Sequence, residues 1–138
     1  MNILFVEDYP ETKLREAMSV ISSMKDEVSY EICKSCISAQ IYIEEHLDEI
    51  DLAVIDLCIP IQDDDIGYNE REGLIPIEQI LFLKPSIPII INSTTALPGA
   101  YAEAYEEENK NGSRIVHVDS LTAEFFEGFI KSIKKEES

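Results

Sequence analysis

The sequence predicts an α/β fold built on a doubly wound parallel sheet, and three observations carry that expectation. Five short apolar runs recur along the chain, segments of helical periodicity separate them, and the strongest runs stay aliphatic instead of alternating with polar residues. A continuous run with β-branched residues is the pattern of a strand covered on both faces, as parallel sheets with helical crossovers require. The clearest is Leu52-Ala53-Val54-Ile55, which stops on the carboxylate of Asp56.

Taken in order, Ile3-Leu4-Phe5-Val6 reads as the first strand. Leu14, Ala17, Met18 and Ile21 then repeat at helical spacing, with Pro10 suited to the start of that helix. A weaker strand, about Ser29 to Cys33, precedes a helix from about Ser38 to His46. The strand Leu52 to Asp56 follows, then a helix carrying Leu74, Ile77 and Leu81. Pro88-Ile89-Ile90-Ile91 is the fourth strand and Ile115-Val116-His117-Val118 the fifth. The helix between them, around Tyr101 to Glu108, is rich in Ala and Glu and thinly apolar, so its packing is expected to be marginal. In the last helix Phe125, Phe126, Phe129, Ile130 and Ile133 make one apolar face, and Lys131, Lys134 and Lys135 complement the helix dipole near its end. Right-handed crossovers put helices on both faces of such a (βα)5 sheet, and the flavodoxin-like strand order 2-1-3-4-5 is the common arrangement at this size.

A chain of 138 residues is about one domain's length, so residues 1–138 are expected to form a single domain with no separate output domain. The balance of 11 basic against 28 acidic residues, net −17, repels phosphate backbones and anionic membrane surfaces. Nucleic acid and membrane are therefore disfavoured as partners, while cations and basic protein faces are favoured. No apolar stretch approaches the roughly 18 residues of a membrane span, and the amino terminus enters a strand without a signal segment, which reads as a cytoplasmic protein. The odd number of cysteines, 3, argues against a disulfide framework. Cys33 and Cys36 form a C-x-x-C with no second pair or nearby histidine to complete a zinc site, so reduced structural thiols are expected.

In open parallel sheets the ligand crevice lies beyond the carboxyl ends of the strands. There the sequence places Glu7-Asp8 after the first strand, Asp56 after the third and Asn92-Ser93-Thr94 after the fourth. Converging carboxylates repel unless a cation or a proton intervenes, and Mg²⁺ suits a few carboxylates, waters and a bound phosphate. A hydroxyl of Ser93 or Thr94 can donate to an oxygen of that phosphate. Two connections are long: "IQDDDIGYNEREG", Ile61 to Gly73, and "STTALPG" both exceed the usual span of about two to six residues. The first is either functional or an acidic surface insertion, and the sequence leaves both open.

An acidic pair after strand one together with Asp-x-x-x-Pro after strand three resembles the receiver domain of two-component response regulators. The resemblance runs from "ILFVED" through "DLAVIDLCIP" and "PIIINST" to the final helix. It implies that Asp56 accepts a phosphoryl group from a histidine kinase, a phosphotransfer protein or a small phosphodonor. It further implies that Asp8, Asp56 and the backbone carbonyl of Cys58 bind Mg²⁺ directly, with Glu7 acting mainly through water, and that Ser93 supplies the hydroxyl. Activity would amount at most to self-phosphorylation and dephosphorylation of an aspartate, with the state relayed to a downstream protein partner. In the family that relay usually uses the fourth helix, fifth strand and fifth helix, and the acidic Glu103, Glu106, Glu107 and Glu108 suit a basic partner face.

The pattern breaks after the fifth strand. Receiver domains carry a lysine there, followed by proline, whereas "IVHVDSLTAEFF" puts Asp119 at that position and Val116 where an aromatic switch residue would stand. Asp119 either opposes the phosphoryl group or turns outward to cap the final helix, the latter being the usual role of Asp at such a point. His117 is expected to be a partly buried structural histidine, and Arg71 and Arg114 are the other candidate cations. These departures keep a second reading alive, a phosphorylation-independent pseudo-receiver acting as a protein-binding module. A haloacid dehalogenase type of phosphatase fits poorly, because Cys58 stands where its general acid would be.

Overall fold

The computed structural model describes residues 1–63 and 72–137. Five strands alternate with helices in the order β1 (Asn2–Val6), α1 (Pro10–Lys13), α2 (Arg15–Ser23), β2 (Ser29–Cys33), α3 (Cys36–His46), β3 (Leu52–Ile55), α4 (Leu74–Leu83), β4 (Ile89–Asn92), α5 (Gly99–Lys110), β5 (Ile115–Val118) and α6 (Ala123–Glu137), with a short 3₁₀ turn at Leu47–Glu49. All strand pairings are parallel and the sheet order is β2-β1-β3-β4-β5. The expected flavodoxin-like (βα)5 sheet is therefore the fold.

The aliphatic runs become central strands because a sheet with helices on both faces leaves neither face in water. Every residue of β3 and β4 is buried. Alternation along the strands divides the core in two. Leu4, Val6, Ala53, Ile55, Ile89 and Ile91 pack with Ala39 and Ile43 of α3, Ile77 and Ile80 of α4, and Tyr105 of α5. On the opposite face Ile3, Phe5, Leu52, Val54 and Ile90 meet Ala17 and Ile21 of α2 and Phe126 and Ile130 of α6. The edge strand β2 exposes Ser29, Tyr30 and Glu31, which accounts for its weaker apolar signal.

Local chemistry moves several boundaries. The first helix is two pieces, parted at Leu14, whose backbone (φ −108°, ψ 13°) leaves the helical range. α3 starts at Cys36, earlier than apolar periodicity predicts, because Ser35 caps it: Ser35 Oγ accepts from the Ser38 amide at 3.2 Å and Ser38 Oγ accepts from the Ser35 amide at 3.2 Å. β3 ends at Ile55, so Asp56 stands just beyond the strand, held by its amide donating to the Val6 carbonyl at 2.9 Å. β4 begins at Ile89 since Pro88 has no amide to donate, although its carbonyl still accepts from Ala53. α5 buries Tyr105 alone, with Tyr101 packed beside it partly exposed, as its thin apolar content predicts, and Tyr105 donates its hydroxyl to Glu78 at 2.9 Å. Cys33 and Cys36 are buried free thiols, and burial pushes Cys33 up to about 11. Among the described residues no helix is long and apolar enough to cross a membrane.

Candidate functional site

The carboxyl ends of β1 and β3 lie side by side, with Val6 paired to Ile55. The next residues of each strand, Glu7-Asp8 and Asp56, are thereby brought together, and one carboxylate oxygen of each lies within 4.8 Å of the others. Glu7 and Asp56 are only 1% and 2% exposed. Asp56 Oδ1 accepts from the Cys58 amide at 3.0 Å, and Glu7 Oε2 accepts from the Tyr9 amide at 3.2 Å. Glu7 Oε1 and Asp8 Oδ1 are buried without a hydrogen-bond partner among the described residues.

Such crowding has an electrostatic consequence. Burial, and then the neighbouring charge of Asp56, push the Glu7 carboxyl up to about 8, against the opposing pull of Lys13 and the Tyr9 amide. The donor set, all oxygen, with two buried oxygens unsatisfied, fits a hard divalent cation such as Mg²⁺.

Asp56 also has a cationic partner that the sequence reading did not identify. Lys13, the last residue of α1, brings Nζ to 2.7 Å from Asp56 Oδ2 and 3.7 Å from Glu7 Oε2. Burial works against its charge, but the hydrogen bond to Asp56 and the charges of Glu7 and Asp56 outweigh that and hold the ammonium above the ordinary lysine range. The available signal was positional: the first turn after strand one projects over the strand ends, and Pro10 fixes where that turn begins.

Above Asp56 opens a cavity of about 350 Å³. Thr12, Lys13 and Arg15 line one side, and Ser93, Thr94, Asp119 and Ser120 line the other. Ser93, at the end of β4, is buried and its Oγ accepts from the Thr95 amide at 3.2 Å. The entry to α4 packs against the backbone that carries Asp56. Gly73 donates its amide to the Leu57 carbonyl at 2.9 Å and packs directly on the Asp56 carbonyl.

With this geometry established, the chain's relatives in structure are informative. A response regulator receiver domain from Clostridium thermocellum is similar at a TM-score of 0.65 and 16% identity, the match covering 99% of this chain and 96% of that one. The fold is that of a response regulator receiver domain. The phosphorylated cyanobacterial phytochrome response regulator RcpA matches with a TM-score of 0.59 and 19% identity over 97% of this chain and 91% of its own. NtrX from Brucella abortus matches at 0.62 and 14% identity over 98% of this chain, which spans only 27% of the NtrX chain. The sequence matches no protein-family model and no curated protein.

Against the receiver fold the departures take definite positions. Asp119 is exposed and lines the cavity, and it does not cap α6. That task falls to Thr122, whose Oγ1 accepts from the Phe125 amide at 3.2 Å, while the Ala123 amide donates to Glu16 Oε1 at 3.1 Å. His117 is more exposed than its place in a strand suggests, yet its Nε2 lies 2.9 Å from the Ser93 carbonyl and ties β5 to the site's edge. Val116 packs on the core with Val118. Arg114 turns away from the site: it bonds Glu136 at 3.1 Å, reaches the Ser132 hydroxyl and stacks on Phe129. Arg71 and most of the Ile61–Gly73 insertion lie outside the described residues.

Proposed function

We propose that the chain is a receiver-like signalling unit that accepts a phosphoryl group on Asp56 with Mg²⁺ and relays its state to a protein partner. The observation that carries this reading is the convergence of Glu7, Asp8 and Asp56, largely buried, with two carboxylate oxygens left unsatisfied. Glu7, Asp8, Asp56 and the carbonyl of Cys58 would hold the cation, which supplies neutralisation of the transferring group when bound. Asp56 Oδ2, the oxygen nearer Lys13, attacks phosphorus as the bond to the donor breaks, while Oδ1 stays oriented by the Cys58 amide. Ser93 or Thr94, on the far wall of the cavity, donates a hydroxyl to a phosphoryl oxygen. A histidine kinase or phosphotransfer protein is the donor in this reading, and the acidic α5 suits a basic downstream partner.

A second reading is favoured by the Lys13 contact. An ammonium already seated on Asp56, with Asp119 across the cavity, is also compatible with a phosphorylation-independent pseudo-receiver that binds a partner in one fixed state. Incubation with Mg²⁺ and a small phosphodonor, followed by intact-mass measurement, separates the two. Addition of one phosphoryl group, lost in Asp56→Asn, supports the receiver. No adduct on folded, Mg²⁺-binding protein, with the small donor or with candidate kinases, supports the pseudo-receiver.

A further inference from the structure

We propose that Lys13 is the residue that neutralises the phosphoryl group on Asp56, so that the cation expected after β5 is supplied instead from the end of α1. The inference rests on the reading of Asp56 as phosphoacceptor and names the residue that makes it workable without a lysine at position 119. Three observations on the described residues point the same way. Lys13 Nζ touches the buried Asp56 carboxylate at 2.7 Å. Lys13 and Arg15 are the cationic side chains lining the cavity above Asp56. Where β5 would deliver a positive charge, Asp119 stands on the opposite wall, and Arg114 is committed to Glu136 and Ser132.

The chemistry requires such a group. Transfer from acetyl phosphate forms the bond between an Asp56 oxygen and phosphorus and breaks the phosphorus–oxygen bond to acetate, which leaves with the electron pair. A monoanionic side chain becomes a dianionic acyl phosphate among Glu7, Asp8 and Asp119. A preorganised ammonium in a partly dehydrated site offsets that charge without reorganisation at the moment of transfer. Lys13 is suited to follow the charge outward, since its side chain is 46% exposed while Asp56 is 2% exposed.

Phosphoryl incorporation from acetyl phosphate at saturating Mg²⁺, followed by intact mass, tests this on the wild type, Lys13→Met, Lys13→Arg and the double variant Lys13→Met/Asp119→Lys. Thermal unfolding and calorimetric Mg²⁺ titration run in parallel. The expected result is a Lys13→Met protein that folds and binds Mg²⁺ at least as tightly as wild type, because a competing cation has left the carboxylates. It should acquire phosphate about 100- to 1,000-fold more slowly. Lys13→Arg should retain most of the rate, and Asp119→Lys should restore it in the Lys13→Met background by returning an ammonium from the other wall. A counterion of purely structural value would lower the melting temperature of Lys13→Met and leave the rate per folded molecule unchanged, which overturns the inference. Should Lys13→Met fail to fold, a Lys13→Arg rate equal to wild type supports the inference, and a rate reduced to the no-Mg²⁺ background overturns it. A wild type labelled as fast as Lys13→Met overturns this inference alone, whereas a folded, Mg²⁺-binding wild type that takes no phosphate overturns the reading of Asp56 as well.

Discussion

Gly73 lies so close to Asp56 that a β-carbon on it would fall 2.1 Å from the Asp56 carbonyl oxygen and 2.8 Å from the α-carbon of Leu57. The backbone of Gly73 is ordinary, with φ −61° and ψ −17°, so the demand for glycine here is steric and not conformational. Gly73→Ala must push α4 away from the strand end or shift Asp56. The expected cost is about 1–3 kcal/mol in urea or thermal unfolding, accompanied by weaker Mg²⁺ binding because the Asp56 carboxylate moves with its backbone.

Divalent cations should stabilise the folded protein in proportion to their occupancy of Glu7, Asp8 and Asp56. At Mg²⁺ about 100-fold above Kd the gain is ~2.7 kcal/mol, read as a rise in melting temperature that EDTA reverses. Asp8→Asn removes a ligand charge while keeping the side chain's shape. In that variant the melting temperature should respond far less to Mg²⁺, and a full response would exclude Asp8 as a ligand.

In chelator, Glu7 also imposes a pH dependence. Its carboxyl is raised from 4.5 to about 8 in the folded state by burial and the charge of Asp56, so between those values the native protein binds more protons than the unfolded chain. Stability from this group is then complete below pH 4.5 and is lost as pH rises through about 8. Unfolding midpoints measured across that window should fall with pH in the wild type and lose most of this slope in Glu7→Gln.

The core beneath α6 should respond as a packed interior does. Phe126 is fully buried and its ring centroid lies 6.0 Å from that of Phe5. Phe126→Ala should cost about 3–5 kcal/mol in chemical denaturation. Ser35→Ala, which deletes the reciprocal cap of α3, should cost about 1 kcal/mol by the same measurement.

How legible all this was in the sequence depends on what each residue's neighbours are. β1, β3 and β4 were readable because burial on both faces forces unbroken aliphatic runs, and the strand-end acids were readable because topology alone decides that Val6 and Ile55 end side by side. Ser35 was missed because capping follows side-chain geometry and α3 has no sharp apolar stripe to mark its start. Lys13 was missed for a different reason. The end of β5 and the insertion carry the cations that the sequence pattern points to, whereas the partner of Asp56 comes from a helix turn distant from it in sequence, and no periodicity reports a contact between a lysine tip and a strand end. Capping was one of the two roles open to Asp119, and Thr122 takes it instead because α6 starts at Ala123 and needs its cap immediately before it.

The interruption of the first helix at Leu14 decides which surface lies next to the site. Leu14 is 1% exposed and fixed in the core, its amide donating to the Pro10 carbonyl at 3.1 Å and its carbonyl accepting from Met18 at 2.8 Å. The four residues that end in Lys13 therefore form a short separate turn, held at its start by buried Pro10 and closed at its end by Leu14, while α2 continues beyond it packed against α6. The exposed residues Glu11, Thr12 and Lys13 of that turn, with Tyr9 before it, form a solvent-facing surface beside the Lys13–Asp56 contact. A partner that reads the Lys13–Asp56 contact directly would meet this turn, a surface separate from the acidic α5.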